Sequence, residues 1–213
     1  MNNLLFVSTL SLLLLTACDK QTEKNTSNDT TNKTVKTTME SSNKPIDKKA
    51  AIEEAKKITM AFGGALKSRL QAAMKEGGPI NALSVCNTEA MPITAQAAKE
   101  NNALVSRVSL KNRNPNNTPN DWQKAVLEDF DTRASKGEYI KKMAFAKIVD
   151  NNGKKQLHFM KALPTGGICL TCHGSNIAPD VQAKLKELYP DDKATGYQLG
   201  QVRGAIVVVK DIN

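Results

Sequence analysis

Cys169-Leu170-Thr171-Cys172-His173 sets two thiols three positions apart, with an imidazole directly after the second. That spacing suits the covalent holding of a c-type haem. Each sulfur forms a thioether to one porphyrin vinyl group, and the adjacent histidine falls under the iron as an axial ligand. A Cys-x-x-Cys pair is also compatible with a thioredoxin-like redox couple or half of a zinc site. Compartment separates these readings, because haem is joined to such motifs outside the cytoplasm and an export signal is then required.

The first residues carry one. Leu4 to Leu15 form an apolar run too short to span a bilayer, ending in Leu15-Thr16-Ala17-Cys18. This resembles a bacterial lipoprotein signal covering 1–17 and cleaved before Cys18, whose thiol would carry lipid, although Met1-Asn2-Asn3 lacks the usual Lys or Arg. An ordinary signal peptide with Cys18 as a bystander is the plainer alternative. Asp19 slightly favours the inner membrane, and the expected location is the periplasmic side of the cell envelope. Residues 18–49 are Asn, Thr, Ser and Lys with hardly a large apolar side chain, so they bury too little to offset the entropy of ordering and read as a disordered polar tether. Residues 50–213 have the length of one domain.

The chain has four cysteines. With Cys18 allotted to lipid and Cys169 and Cys172 to porphyrin, Cys86 is left as an odd thiol in an oxidising compartment. Leu83 and Ala90 flank it at helical spacing, which turns it towards a core, either as a small apolar filler or as the second axial ligand of the iron. The alternative ligand is His158, which on a strand points opposite to Leu157 and Phe159, with Met160 on its own side. An anionic thiolate would stabilise ferric iron and lower the potential, whereas His or Met would raise it. Arg107 and Arg113 are candidates for haem propionates, since planar guanidinium donors match carboxylates. Trp122 is expected in the core or against the haem, and Tyr197 as a hydrogen-bond donor near the haem edge.

These groups need elements to position them. Ala55, Ile58, Phe62, Leu66, Leu70 and Met74 recur at helical steps and predict a helix over 49–75, ended by Gly77-Gly78-Pro79. A second helical stretch runs from Pro79 to Ala90 and a third, after a break at Met91-Pro92, continues to Glu100. Ala103 to Leu110 reads as a strand and Lys111 to Asn120 as a polar loop. Thr118-Pro119 reads as the N-cap and first position of a helix that ends at Gly137. Tyr139 to Val149 and Lys155 to Leu163 flank Asn151-Asn152-Gly153, a hairpin signal. A helix over 179–188 and a buried strand over 204–210 close the chain. Helices followed by an antiparallel sheet define an α+β domain.

With these segments placed, a resemblance becomes specific. Arg107-Val108-Ser109-Leu110-Lys111-Asn112-Arg113-Asn114-Pro115-Asn116-Asn117, Asp121-Trp122, the Cys169-to-His173 motif, and Gly196-Tyr197 with Gly200 and Arg203-Gly204-Ala205 are similar to the PAS-like c-type haem family, long catalogued as a domain of unknown function. The resemblance covers most of the chain from Ala51. It implies a PAS-like antiparallel sheet with N-terminal helices, one covalent haem c, and a histidine and cysteine axial pair, the cysteine lying in an element that corresponds to Val85-Cys86. No settled activity accompanies it.

A haem motif without a catalytic constellation is expected to serve single-electron transfer or redox or gas sensing rather than enzymatic turnover. A peroxidase-like enzyme would need an acid-base group beside the iron, with His158 as the candidate. A Cys3His zinc site of Cys86, Cys169, Cys172 and His173 is the haem-free alternative. No kinase, methyl-accepting or cyclase segment follows Asn213, so the expected partner is a separate redox or signalling protein, besides the membrane reached through the anchor. The formal charge of +9 comes without an arginine stripe or interleaved aromatics, so nucleic acid is not expected.

Overall fold

Two glycines decide the shape of the first element. In the computed structural model, which describes residues 47–212, helix α1 (Lys48–Asn101) starts on Asp47, whose side chain accepts the Ala50 N–H. It bends at Gly77-Gly78, where Gly78 has φ 67° and ψ −162°, a conformation that only a residue without Cβ adopts readily. The two limbs, 48–76 and 79–101, fold back on one another. Arg69 grips Glu89 through Nε at 2.6 Å and Nη2 at 2.9 Å, and Asn81 Nδ2 donates to the Ala73 carbonyl at 3.0 Å. The break expected at Met91-Pro92 is absent: Pro92 lies inside a continuous limb. An interior proline costs about 3 kcal/mol. Burial of Ala90 and Thr94, and the packing of Ile93 and Ala97 on the core, offset it here.

Strands β1 (Leu104–Val108), β2 (Ala144–Asn151), β3 (Lys154–Pro164) and β4 (Val202–Asp211) form one antiparallel sheet in the order β1-β4-β3-β2. Asn151 pairs with Lys154 across a two-residue turn in which Asn152 and Gly153 have φ 54° and 82°, the type I′ geometry that the sequence signals. The expected start of β2 at Tyr139 moves to Ala144, because Ile140–Lys142 form a 3-10 turn that buries Ile140 first. Helix α2 (Asp121–Ser135) is capped by Asn120 and Gln123, which satisfy each other's backbone N–H groups, so the N-cap lies two residues beyond the expected Thr118. Helix α3 (Leu170–His173) and helix α4 (Pro179–Leu188) follow the hairpin.

The sheet has two unlike faces. Alternation along β3 sends Leu157 and Phe159 to the α1 side, where they join Ile58, Phe62, Val105, Ile206 and Val208. It sends Met160 and Ala162 to the α2 side, where Val126, Leu127, Phe130, Met143 and Val207 complete a dry core. The expected α+β domain, helices leading into an antiparallel sheet, is what the chain forms. The leader 1–17, Cys18, Asp19 and nearly all of the 18–49 tether lie outside the described residues. Among the described residues no helix is long and apolar enough to cross a membrane.

Candidate functional site

On the α1 side, beyond the packed part of that face, the helical hairpin stands away from the sheet. It leaves a cavity of about 230 Å³ that opens to solvent at its mouth. Both limbs line it: Leu70 and Met74 from the first, Leu83, Cys86 and Ala90 from the second. The opposite wall is Cys169, Cys172 and His173, with Tyr189 alongside and Arg107, Arg113 and Arg203 around the sheet end.

Local structure aligns the thiols and the imidazole. Gly167–Cys169 is a 3-10 turn that runs directly into α3, so Cys169, Cys172 and His173 stand at i, i+3 and i+4 on one face of a helical turn. Leu83, Ile177, Val181 and Leu185 form a small core joining α4 to the second limb of α1, and Cys172 packs against it. The backbone is zipped to the segment before β4: Gly196 N–H donates to the Gly174 carbonyl at 3.0 Å and Tyr197 N–H to the His173 carbonyl at 2.9 Å.

His173 has one nitrogen committed. Its Nδ1 lies 2.7 Å from the Ala194 carbonyl, an acceptor, so Nδ1 carries the proton and Nε2 keeps its lone pair for a metal. Burial, reinforced by the charges of Arg203 and Arg113, pushes the imidazole pKa down to about 2, so the ring is neutral and ligand-ready at any ordinary pH. Burial also pushes the Cys86 and Cys172 thiols up, against the opposing pull of Arg107 on Cys86 and of Arg113 on Cys172. Cys86, Cys169 and Cys172 form no disulfide, and each is half-buried.

The arginines separate into different roles. Arg107 shares the α1-side face with Val105 and pairs with Ile206 in the ladder, which aims it at the cavity, and among the described residues its guanidinium has no ion-pair or hydrogen-bond partner. It is a cation open to a carboxylate. Arg113 is occupied by Asp192, at 3.0 Å, and by the carbonyls of Cys172 and Ala194, so its guanidinium braces the thiol segment rather than waiting for a propionate. Arg203, which the residue-by-residue reading left without a role, lies 5.0 Å over the Tyr197 ring and donates to Ser109 Oγ at 3.0 Å. Its signal was the Arg203-Gly204 pair itself. At Gly204, with φ 153°, a Cβ would lie 2.3 Å from the Val108 carbonyl oxygen, so only glycine permits this start to β4 beside the cavity.

Four further candidates lie elsewhere. His158 is on the α2 side of the sheet, stacked on Trp122 with ring centroids 4.6 Å apart, and lines a separate shallow hollow with Phe145 and Lys147. The sheet divides both residues from the cavity, so His158 is not a ligand opposite His173 and Trp122 does not wall the same space. Met160 is buried in the α2-side core. Tyr197 stands edge-on to the His173 ring, centroids 6.3 Å apart, with its hydroxyl 3.3 Å from Ser109 Oγ; it braces the histidine from behind and does not line the cavity. Among the described residues no three His, Cys, Asp or Glu side chains converge closely enough to hold a metal ion, so the Cys3His zinc arrangement is not assembled.

The cavity therefore fits a flat apolar body better than a bare ion. Aliphatic side chains cover its faces, two thiols reach it from one turn, a neutral imidazole and a thiol come to it from distant elements, and an unpaired guanidinium marks its sheet end. The profile of a family described as Tll0287-like matches residues 16–210. Among solved structures, the crystal structure of the cyanobacterial haem protein Tll0287 is similar with a TM-score of 0.52 and 24% identity, over 76% of this chain and 93% of that one. Comparison with the curated proteins gave no match.

Proposed function

As this chain belongs to the Tll0287-like family, we propose that it is a haem protein holding one haem c in the cavity, through thioethers at Cys169 and Cys172, with His173 and Cys86 as axial ligands. The observation that carries the reading is the convergence of His173, whose Nε2 is free, and Cys86 on one apolar cavity beside a correctly spaced pair of thiols. Bound there, the haem supplies a one-electron Fe(III)/Fe(II) couple. The residues do the rest. Ala194 keeps His173 in the Nδ1–H tautomer, the Gly167–Cys169 turn and α3 together hold the two thiols towards one edge, Arg107 offers its charge to a propionate, and Leu70, Met74, Leu83 and Ala90 exclude water. Among the described residues, His173 is the cavity's only imidazole, and no carboxyl group lines it. Beside Cys86 the cavity wall carries Tyr189 and Arg107 rather than a histidine or a carboxyl group, and burial pushes the Tyr189 hydroxyl up, away from the range of a general base at neutral pH, which favours electron transfer over peroxidase-like turnover.

Sensing is the second reading, favoured by one feature. Cys86 belongs to a helical limb beyond the Gly78 bend, separate from the turn that carries Cys169, Cys172 and His173, so its limb could move without disturbing the residues that would hold the haem. We place the protein on the periplasmic side of a membrane, anchored by lipid on Cys18, with a separate redox or signalling protein as partner. Intact mass and a pyridine haemochrome spectrum of protein exported by a haem-attaching host test the whole assignment. The expected mass is residues 18–213 plus acyl groups and one haem; colourless protein without added mass sinks it. Carbon monoxide added to the reduced protein then distinguishes the readings. An unchanged Soret band supports a permanently six-coordinate carrier, and a shifted band supports sensing.

A further inference from the structure

Behind His173 lies an ion pair that no ligand role requires. Arg113 and Asp192 are each only 10% exposed in their side chains, and Arg113 Nε donates to Asp192 Oδ2 at 3.0 Å. Asp192 Oδ1 accepts the Ala194 N–H at 2.8 Å, while Arg113 Nη2 donates to the carbonyls of Cys172 and, at 3.4 Å, of Ala194. The Ala194 carbonyl is the acceptor that fixes the His173 ring, and Ala194 is fully buried. One pair thus holds the backbone on both sides of the histidine, at Cys172 just before it and at Ala194 beneath its Nδ1–H.

We propose that Arg113 and Asp192 are positioning residues that set the reduction potential of the iron bound by His173, a role that rests on the haem reading above. Two effects act in the same direction. Arg113 Nη2 shares the Ala194 carbonyl with His173, so it weakens the Nδ1–H···O bond that would otherwise give the ring more imidazolate character and favour ferric iron. The guanidinium charge also disfavours the ferric state, and Asp192 cancels that charge in a site where little water screens it. Removing Asp192 releases Arg113 to compete harder for Ala194 and leaves its charge uncompensated. Removing Arg113 does the reverse.

The test is the midpoint potential of haem-loaded Asp192→Asn, Arg113→Gln and the double variant, read with covalent haem on a denaturing gel. Asp192→Asn should raise the potential and Arg113→Gln lower it, each by at least tenfold in the ferric-to-ferrous ratio, about 59 mV for one electron. The double variant should fall between them. A pair that merely braces the loop would move both single variants in the same direction, and that result, or shifts below twofold with haem retained, overturns the proposal. Asn keeps the acceptor for the Ala194 N–H, so if Arg113→Gln does not accumulate, Asp192→Asn decides alone: no rise refutes it. If neither single variant accumulates, the double variant decides: a potential within twofold of wild type supports charge cancellation, and a larger shift or loss of covalent haem refutes it. Wild-type protein without haem would instead refute the haem reading, which the gel detects separately.

Discussion

The two faces of one sheet have been put to opposite uses. On the α2 side, Phe130, Met143 and Met160 are fully buried in an apolar core, and the open space is confined to hollows at its margins, one beside Trp122 and His158 and one beside Leu127, Asp131 and Tyr197, neither of which holds a cysteine. On the α1 side, the packing runs out to Leu66 and Leu163, and beyond them the helical hairpin and α3 enclose empty volume lined by thiols, an imidazole and arginines. Dense packing fixes the sheet, and the sheet then serves as a rigid floor for the cavity. Interiors pack to crystal-like density unless something else is to occupy the space. What marks the α1-side cavity as the place for chemistry is its lining, since Cys86, Cys169, Cys172 and His173 all meet there.

The comparison can be broken most directly at the thiols. Replacing Cys169 and Cys172 together by Ala should abolish haem retained through denaturation while the α2-side core keeps its fold, measured by haem stain and circular dichroism. Phe130→Ala should do the opposite, costing about 3–5 kcal/mol in denaturant unfolding and leaving the ferric spectrum unchanged. In the haem-free precursor His173 must stay neutral when folded but protonates when unfolded, its pKa being 6.5 in the open chain and about 2 in place. The unfolded state then binds more protons, so stability is full above pH 6.5 and falls as pH drops below it, by up to about 1.4 kcal/mol per pH unit. Unfolding between pH 7 and 5 should show that slope, and His173→Asn should remove most of it. Cys86→Ala should keep the covalent haem yet alter the ferric spectrum and raise the potential; unchanged values would take Cys86 off the iron. The smallest effect belongs to His158→Ala, within about 1 kcal/mol in stability and with no change in haem absorption. A spectral shift there would mean that the sheet does not separate the two faces as described.

Much of this architecture can be read from residue order because it is local. The period of Ala55, Ile58 and Phe62, the Asn152-Gly153 turn and the i, i+3, i+4 spacing of Cys169, Cys172 and His173 each involve neighbours in sequence. What escaped is non-local. Alternation puts His158 opposite to Phe159, but only the packing of α2 and α1 decides which of those faces holds the cavity. Arg203 reaches the site because β4 pairs with β1, and Arg113, at the cavity wall, is tied to Asp192 because the segment before β4 folds under α3. Pro92 misled for a related reason: a local cost was outweighed by contacts from the other limb of the hairpin.

The distance along the chain between Cys86, on the second limb of α1, and His173, in α3, has a mechanical consequence. Under the proposed ligation the metal would act as a cross-link closing a loop that contains most of the sheet, limiting the freedom of the denatured chain much as a disulfide does. Any reduction that releases the sulfur would cut that cross-link, so oxidised protein should melt at a higher temperature than reduced protein, and oxidation state would be converted into slack or tension in the helical hairpin.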